Sequence, residues 1–216
     1  AILNPGCRFF DKRIGQSTTL SGRQIVKHMS AEVNNIITGE YDHVGKAVIY
    51  GDTDSVYFSA WPMLKDDVAA GKVPWSKENA IQLYDQIADK ANTTFPDFMM
   101  RAFHCPKSRS DVIAAGREIV AETGLFITKK RYAALVTDIE GFRTDIDGKP
   151  GKVKAMGLDL KRSDTPVFMQ NFLKDLLDMV LQKKPEKEIL DAISEFRKLF
   201  KERPGFEKGS PKRANK

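Results

Sequence analysis

Hydrophobic residues recur along this chain in two patterns, and each pattern predicts one kind of element. Apolar residues three or four positions apart predict a long amphipathic helix that begins near Thr18 and ends at Gly39. The same spacing predicts a helix after Ser76 and two more after Pro166, with Pro185 between them. Each predicted helix has one apolar face, so each must pack against another part of the protein.

Short runs rich in β-branched residues predict strands elsewhere. A short strand is predicted within Cys7–Arg13, and two strands flank the sequence Gly-Asp-Thr-Asp at 51–54, which is typical of a hairpin turn. Several more strands are predicted between Val112 and Gly141. The stretch that begins at Trp61-Pro62 contains Gly71 and Pro74, and we predict it to be a connection to the next helix.

The order of these elements indicates the fold class. A helix, a hairpin, another helix and then several strands predict an α+β fold, with an antiparallel sheet that carries helices on one face. The chain becomes entirely helical after Asp164-Thr165-Pro166. We therefore predict two domains, a sheet domain at 1–164 and a small all-helical part at 165–216.

The hairpin turn carries two carboxylates, Asp52 and Asp54. Like charges held this close repel, and both stay ionised only if a cation lies between them. Mg²⁺ takes oxygen ligands of this kind and keeps open positions for water and phosphate. The pattern predicts a Mg²⁺ site for phosphoryl transfer. The alternative is a plain turn, because aspartate and glycine are common in hairpin turns whatever their function.

Charge and cysteine content narrow the function classes. The 216 residues carry a net charge of +6, and the sequence pI is near 9.2, which favours a polyanionic partner such as nucleic acid or an anionic membrane. No apolar run is long enough to span a bilayer, and no signal-peptide pattern begins the chain. Cys7 and Cys105 provide neither a disulfide framework nor zinc-ligand spacing. We expect a reducing cytoplasm and no membrane partner.

A second charged segment precedes an apolar strand. Lys129, Lys130 and Arg131 are consecutive, and three adjacent cations cost electrostatic free energy unless a negative group such as a DNA phosphate lies opposite. Tyr132 adds a ring and a hydroxyl that could reach a sugar or a base edge. The alternative is a charge run that is simply solvated.

Three segments, in the same order, resemble motifs of the family B DNA polymerases, most closely the replicative type of tailed phages. The string Tyr-Gly-Asp-Thr-Asp-Ser at 50–55 resembles motif C, which forms the metal-binding hairpin of the palm domain. Lys-Arg-Tyr at 130–132 resembles the Lys-x-Tyr motif that contacts the primer end. Lys152–Pro166 resembles the segment that joins palm to thumb and holds the primer strand.

The resemblance implies a function and a role for each residue. Residues 1–164 would be part of the palm and 165–216 the start of the thumb of a DNA-dependent DNA polymerase, which transfers nucleotides onto a primer 3′ end during DNA replication. Its partners would be primer–template DNA and deoxynucleoside triphosphates. Asp54 would bridge two Mg²⁺ ions, and Asp52 would support the site. Glu118 would be a further carboxylate near the metals, with an ion pair to a neighbouring residue as the favoured alternative. The predicted DNA-binding residues are Lys129, Lys130, Arg131, Tyr132, Lys152, Lys154, Lys161 and Arg162.

The sequence also departs from the family. The motif A aspartate, the fingers helix and the exonuclease domain do not occur in it, and the thumb looks unfinished. Two metals need several anionic ligands, and Asp52 and Asp54 do not complete that set. We therefore expect a fragment that does not polymerise DNA alone and needs a second polypeptide or missing segment with motif A and the fingers. The alternatives are one chain of a split polymerase, or a catalytically silent DNA-binding module. An unrelated Mg²⁺ phosphohydrolase would need a nucleophile or base that we do not find. If the source is viral, the cytoplasm would be that of a bacterial host.

Overall fold

The computed structural model describes residues 3–158, 160 and 165–209. The chain divides into two compact units, Ala1–Arg117 and Glu118–Lys216. Helices and antiparallel sheets occur together, so the predicted α+β class is confirmed. The predicted domain boundary at Thr165 falls inside the second unit and stays a prediction. None of the helices in the described ranges is both long and apolar enough to cross a membrane.

The elements follow one another in this order. The first unit contains α1 (Lys12–Thr38), β1 (Val48–Asp52), β2 (Ser55–Phe58), α2 (Trp61–Ala69), α3 (Lys77–Asn92), α4 (Phe95–Phe103) and a 3₁₀ turn (Lys107–Arg109). The second unit contains β3 (Ile119–Thr128), β4 (Arg131–Ile139), β5 (Phe142–Arg143), β6 (Lys152–Met156), α5 (Val167–Leu181), α6 (Glu186–Glu202) and α7 (Gly205–Lys208).

Helix α1 begins earlier than the apolar spacing predicts. Asp11 caps it by accepting a hydrogen bond from the backbone N–H of Arg13 at 2.8 Å, and the Arg13 side chain holds the pKa of Asp11 below its usual range. The strand predicted within Cys7–Arg13 is wrong, because these residues form turns and the helix start. Most side chains of the first three helical turns are exposed, so they carry no apolar periodicity. The helix ends at Gly39, as predicted, where φ is 81°.

A buried side chain connects the end of α1 to the hairpin. Asn34 is 0% exposed, donates from Nδ2 to the Glu40 carbonyl at 2.7 Å and accepts at Oδ1 from the Ala47 N–H at 3.1 Å. Gly45 lies against the same amide, because a Cβ built on Gly45 would overlap it. These contacts hold the chain that leads into β1 against the helix.

The second strand of the hairpin is anchored in an apolar core. Val33 of α1 packs there with Ala60, Ile87 and Ala91, and Phe58 packs against this cluster at the end of β2. The predicted connection after Phe58 is wrong in its first part, which is the helix α2. Proline is tolerated in the first turn of a helix, and α2 contributes Leu64 to the core.

The second unit is an antiparallel sheet with a helix on one face. Strand β4 pairs with β3 on one side and with β5 and β6 on the other. Buried Ala133 and Leu135 pack against Leu181 of α5, with Val153 and Ala155 of β6 beside them. The helix start predicted at Pro166 lies one residue later, because Pro166 is the cap and Val167 the first helical residue. Pro185 separates α5 from α6, as predicted.

Asn34→Ala is expected to lower the free energy of unfolding by about 2–3 kcal/mol, because it leaves a buried N–H and a carbonyl without their partner. Urea unfolding followed by circular dichroism measures this difference. The control is Asn35→Ala, which removes only a 3.4 Å bond to Glu32 and should change stability by about 0.5 kcal/mol or less. Equal effects of the two substitutions would contradict the assigned role of Asn34.

Candidate functional site

The hairpin of β1 and β2 presents Asp52 and Asp54 at its tip. Asp52 pairs with Ser55 across the strands, so Thr53 and Asp54 form a two-residue turn. The predicted hairpin is therefore present, with both carboxylates at its tip. We call Asp52–Asp54 the acidic turn.

The two carboxylates of the acidic turn have different surroundings. Asp52 is half-buried, and its Oδ1 accepts from the backbone N–H of Thr53 at 2.8 Å and from its hydroxyl at 3.1 Å. The Tyr50 hydroxyl donates to Oδ2 of Asp52 at 3.4 Å. Asp54 is exposed. The hairpin thus fixes one carboxylate by neighbouring hydroxyl and amide groups and presents the other to solvent.

The donor chemistry of this turn fits part of a magnesium site. Both side chains offer the hard oxygen ligands that Mg²⁺ prefers, and exposed Asp54 leaves room for water or phosphate on the ion. Within the described ranges, no three or more His, Cys, Asp or Glu side chains gather closely enough to hold a metal ion. The acidic turn therefore supplies some, and not all, of the ligands of the predicted site.

The second candidate segment is the turn between β3 and β4. Thr128 pairs with Arg131, so Lys129 and Lys130 form a two-residue turn, and all three basic side chains are exposed. Lys130 has a φ of 61°, in the left-handed region that non-glycine residues rarely adopt. Arg131 donates from Nε to the Gly157 carbonyl at 3.2 Å. We call Lys129–Arg131 the basic turn.

Tyr132, the next residue, is buried rather than exposed. Its side chain is 4% exposed and stacks on Phe126 of β3, with ring centroids 5.6 Å apart. An aromatic pair therefore lies directly beside the basic turn, at the turn end of its hairpin. The three cations, and not the Tyr132 ring, form the accessible part of the predicted DNA-binding motif.

Strand β6 places two predicted DNA-binding lysines on one face of the sheet. Lys152 pairs with Val136 and Lys154 with Ala134, and side chains directly opposite in an antiparallel pair lie on the same face. The alternating residues Val153 and Ala155 pack toward α5. The lysines thus lie on the face that α5 does not cover. The other two predicted cations of this segment, Lys161 and Arg162, lie outside the described residues.

Glu118 is engaged by one of these lysines. Lys154 Nζ lies 2.5 Å from Glu118 Oε1, and the two side chains are 31% and 59% exposed. This ion pair is the alternative that the sequence favoured for Glu118. Glu118, a predicted metal ligand, and Lys154, a predicted phosphate contact, are therefore paired with each other. Both belong to the second unit, whereas the acidic turn belongs to the first.

Two residues that support these hairpins have no assigned role in the sequence-based prediction. Asn34 looks like one of several polar residues on an amphipathic helix, and only the tertiary contacts to Glu40 and Ala47 reveal it. Gly157 follows the alternating pattern of β6 directly. A glycine at the end of a strand signals either a turn or a close approach of two backbones, and here it is both.

Comparisons with known proteins agree with the motifs. Residues 102–208 match the sequence model of a family described as DNA polymerase family B. The chain is 30% identical over 193 residues to a DNA-directed DNA polymerase of Escherichia phage RB69, a match that covers 84% of this chain. It is 25% identical over 214 residues to a DNA-directed DNA polymerase of Enterobacteria phage T4, covering 93% of this chain. DNA polymerase II of Escherichia coli (strain K12) is 27% identical over 192 residues, covering 84% of this chain.

These matches cover only a small part of each relative. The aligned region is 21% of the phage RB69 protein, 22% of the phage T4 protein and 20% of the Escherichia coli protein. The chain thus spans about a fifth of the length of the curated relatives that it matches.

Glu118→Gln is expected to change the free energy of unfolding by less than about 1 kcal/mol, because both members of its ion pair are partly exposed. Asp145→Asn is the contrasting variant. The Asp145 side chain is 1% exposed and accepts from Arg143 at 2.7 Å, so its loss should cost about 3 kcal/mol. Urea unfolding of both variants measures the difference. A cost at Glu118 as large as that at Asp145 would show that the Glu118 pair is a structural support.

Proposed function

The chain belongs to DNA polymerase family B, as its motifs predict, and on this premise we propose that it supplies part of the palm and the start of the thumb of a DNA-dependent DNA polymerase. The reaction is nucleotidyl transfer from a deoxynucleoside triphosphate to a primer 3′ end during DNA replication. The observation that carries the proposal is the hairpin turn with one anchored and one exposed carboxylate.

Asp54 and Asp52 are the residues that would hold magnesium. When bound, Mg²⁺ would supply charge neutralisation for the α-phosphate that the primer end attacks and for the leaving pyrophosphate, with two ions in the complete site. Asp54 has the exposure that a metal ligand needs. Asp52 has the local hydrogen bonds of a supporting residue, since Tyr50 and Thr53 fix the direction of its carboxylate.

The basic turn and the lysines of β6 would hold the primer strand. Lys129, Lys130 and Arg131 are exposed at the end of a hairpin and suit contact with successive backbone phosphates. Lys154 is paired with Glu118, and it would exchange that partner for a phosphate when DNA binds. Glu118 therefore acts in this proposal as a competitor for Lys154 and not as a first ligand of the metal.

We do not expect this chain to polymerise DNA by itself. The acidic turn supplies two carboxylates, and the motif A aspartate and the fingers would come from a second polypeptide or a further segment. The phage polymerases to which the chain is similar suggest the cytoplasm of a bacterial host as the place of action. A catalytically silent DNA-binding module is the second candidate, favoured by the net charge of +6.

Lys130→Ala is expected to weaken binding of a primer–template duplex about three- to tenfold and to reduce the salt dependence of binding by about one phosphate contact. Fluorescence anisotropy at several salt concentrations measures both quantities. Lys183→Ala is the matched control, because Lys183 is also an exposed lysine with a left-handed backbone, at φ 57°. Equal losses of duplex affinity in the two variants would show that the basic turn does not contact DNA.

Asp54→Asn is expected to abolish template-directed synthesis when the chain is combined with a polypeptide that carries motif A and the fingers. The neutral amide keeps the shape of the side chain but loses the charge that binds Mg²⁺. Asp147→Asn, another exposed turn aspartate, should leave synthesis unchanged. Synthesis retained by Asp54→Asn would refute the catalytic assignment. Synthesis absent from the wild-type mixture, with duplex binding intact, would favour the silent DNA-binding module.

A further inference from the structure

The basic turn rests against the backbone of Gly157, which directly follows β6. Met156 pairs with Tyr132, so the next residue of β6 lies beside the start of β4. A Cβ built on Gly157 would overlap the carbonyl oxygen of Lys130 and lie 3.0 Å from its carbonyl carbon and 3.2 Å from Cγ of Arg131. The contact is therefore between two backbones, and it has no room for a side chain at position 157.

The same residue is bound to the turn from its other side. Arg131 donates from Nε to the Gly157 carbonyl at 3.2 Å. The Arg131 side chain is therefore bound to the same glycine that contacts the Lys130 backbone. Lys130, whose carbonyl meets Gly157, has a φ of 61°, a conformation that costs an L-residue free energy. Gly157 thus lies against a strained part of the turn.

A comparison with Gly148 shows that backbone conformation alone does not explain why position 157 has no room for a side chain. Gly157 has a φ of 65°, and Gly148, in the same unit, has a similar φ of 73°. A Cβ on Gly148 would meet nothing within 4 Å, whereas a Cβ on Gly157 would meet Lys130. A side chain at either position would be strained, but only at Gly157 would it also displace the turn.

We propose that Gly157 is a positioning residue of the DNA interface, because its bare backbone sets the place and direction of Lys130 and Arg131. The inference rests on the proposed function, since it assumes that these cations contact the primer strand. It adds a residue that touches no DNA and acts only through the turn. A methyl group at position 157 would push the Lys130 carbonyl away and rotate the basic side chains out of line with the phosphates.

The test compares Gly157→Ala with Gly148→Ala in this chain. Gly157→Ala should weaken binding of a primer–template duplex by about the same factor as Lys130→Ala, three- to tenfold, while Gly148→Ala should bind as the wild type does. In a background that carries both Lys130→Ala and Arg131→Ala, Gly157→Ala should cause less than a twofold further loss of affinity, because the glycine acts only through these two side chains. Wild-type affinity in Gly157→Ala, or a full further loss in the doubly substituted background, would overturn the proposal.

A second measurement does not depend on DNA. The backbone amide resonances of Lys130 and Arg131 should shift in Gly157→Ala and stay in place in Gly148→Ala, and unchanged resonances would overturn the inference. If Gly157→Ala does not fold, adding Lys130→Gly should restore folding, because glycine lets the turn adopt another φ. If the double variant fails to fold while Lys130→Gly alone folds, that result would also contradict the inference. A third outcome is that the resonances shift in Gly157→Ala but the wild-type chain binds no duplex. This result would refute the proposed function, and with it the DNA role of Gly157, while leaving the contact between Gly157 and the basic turn established.

Discussion

The two hydrogen bonds of the Asn34 amide determine where the hairpin that carries the acidic turn can lie. One bond reaches the chain just after α1 and the other reaches the residue just before β1, so a single buried side chain closes the loop between them. The hairpin has only two strands, and a two-stranded hairpin is marginally stable alone. Its position therefore depends on this amide, just before β1, and on Phe58 in the core at the end of β2, both at the base of the hairpin.

In the second unit, a similar close contact holds the basic turn. In each unit a glycine backbone lies so close to a neighbour that a Cβ would collide, Gly45 with the Asn34 amide and Gly157 with the Lys130 carbonyl. The contact of Gly157 is between two backbones, so no rotatable side-chain bond lies between the parts, whereas Gly45 contacts a side chain that its own hydrogen bonds hold in place. Each unit thus uses a contact that only glycine permits, in the loop before β1 and at the basic turn.

The sequence is informative where one element follows its own periodicity. The hairpin at 51–54, the end of α1 at Gly39 and the break at Pro185 follow from local spacing and turn chemistry. The start of α1 and the existence of α2 were missed, because the first has no apolar face and the second has few buried residues. The burial of Tyr132 depends on a tertiary contact with Phe126, which no local pattern reports. Turns and breaks at the ends of single elements were thus predictable, and contacts between elements were not.

Strand β4 has partners on both sides, and its residues from Tyr132 to Asp138 are all buried. Backbone amides in such a strand exchange with solvent only when a large part of the structure opens, so their protection approaches that of global unfolding. The basic turn is continuous with this strand. Local fluctuations that open the peripheral helices would leave the backbone of the basic turn in place until the sheet itself melts.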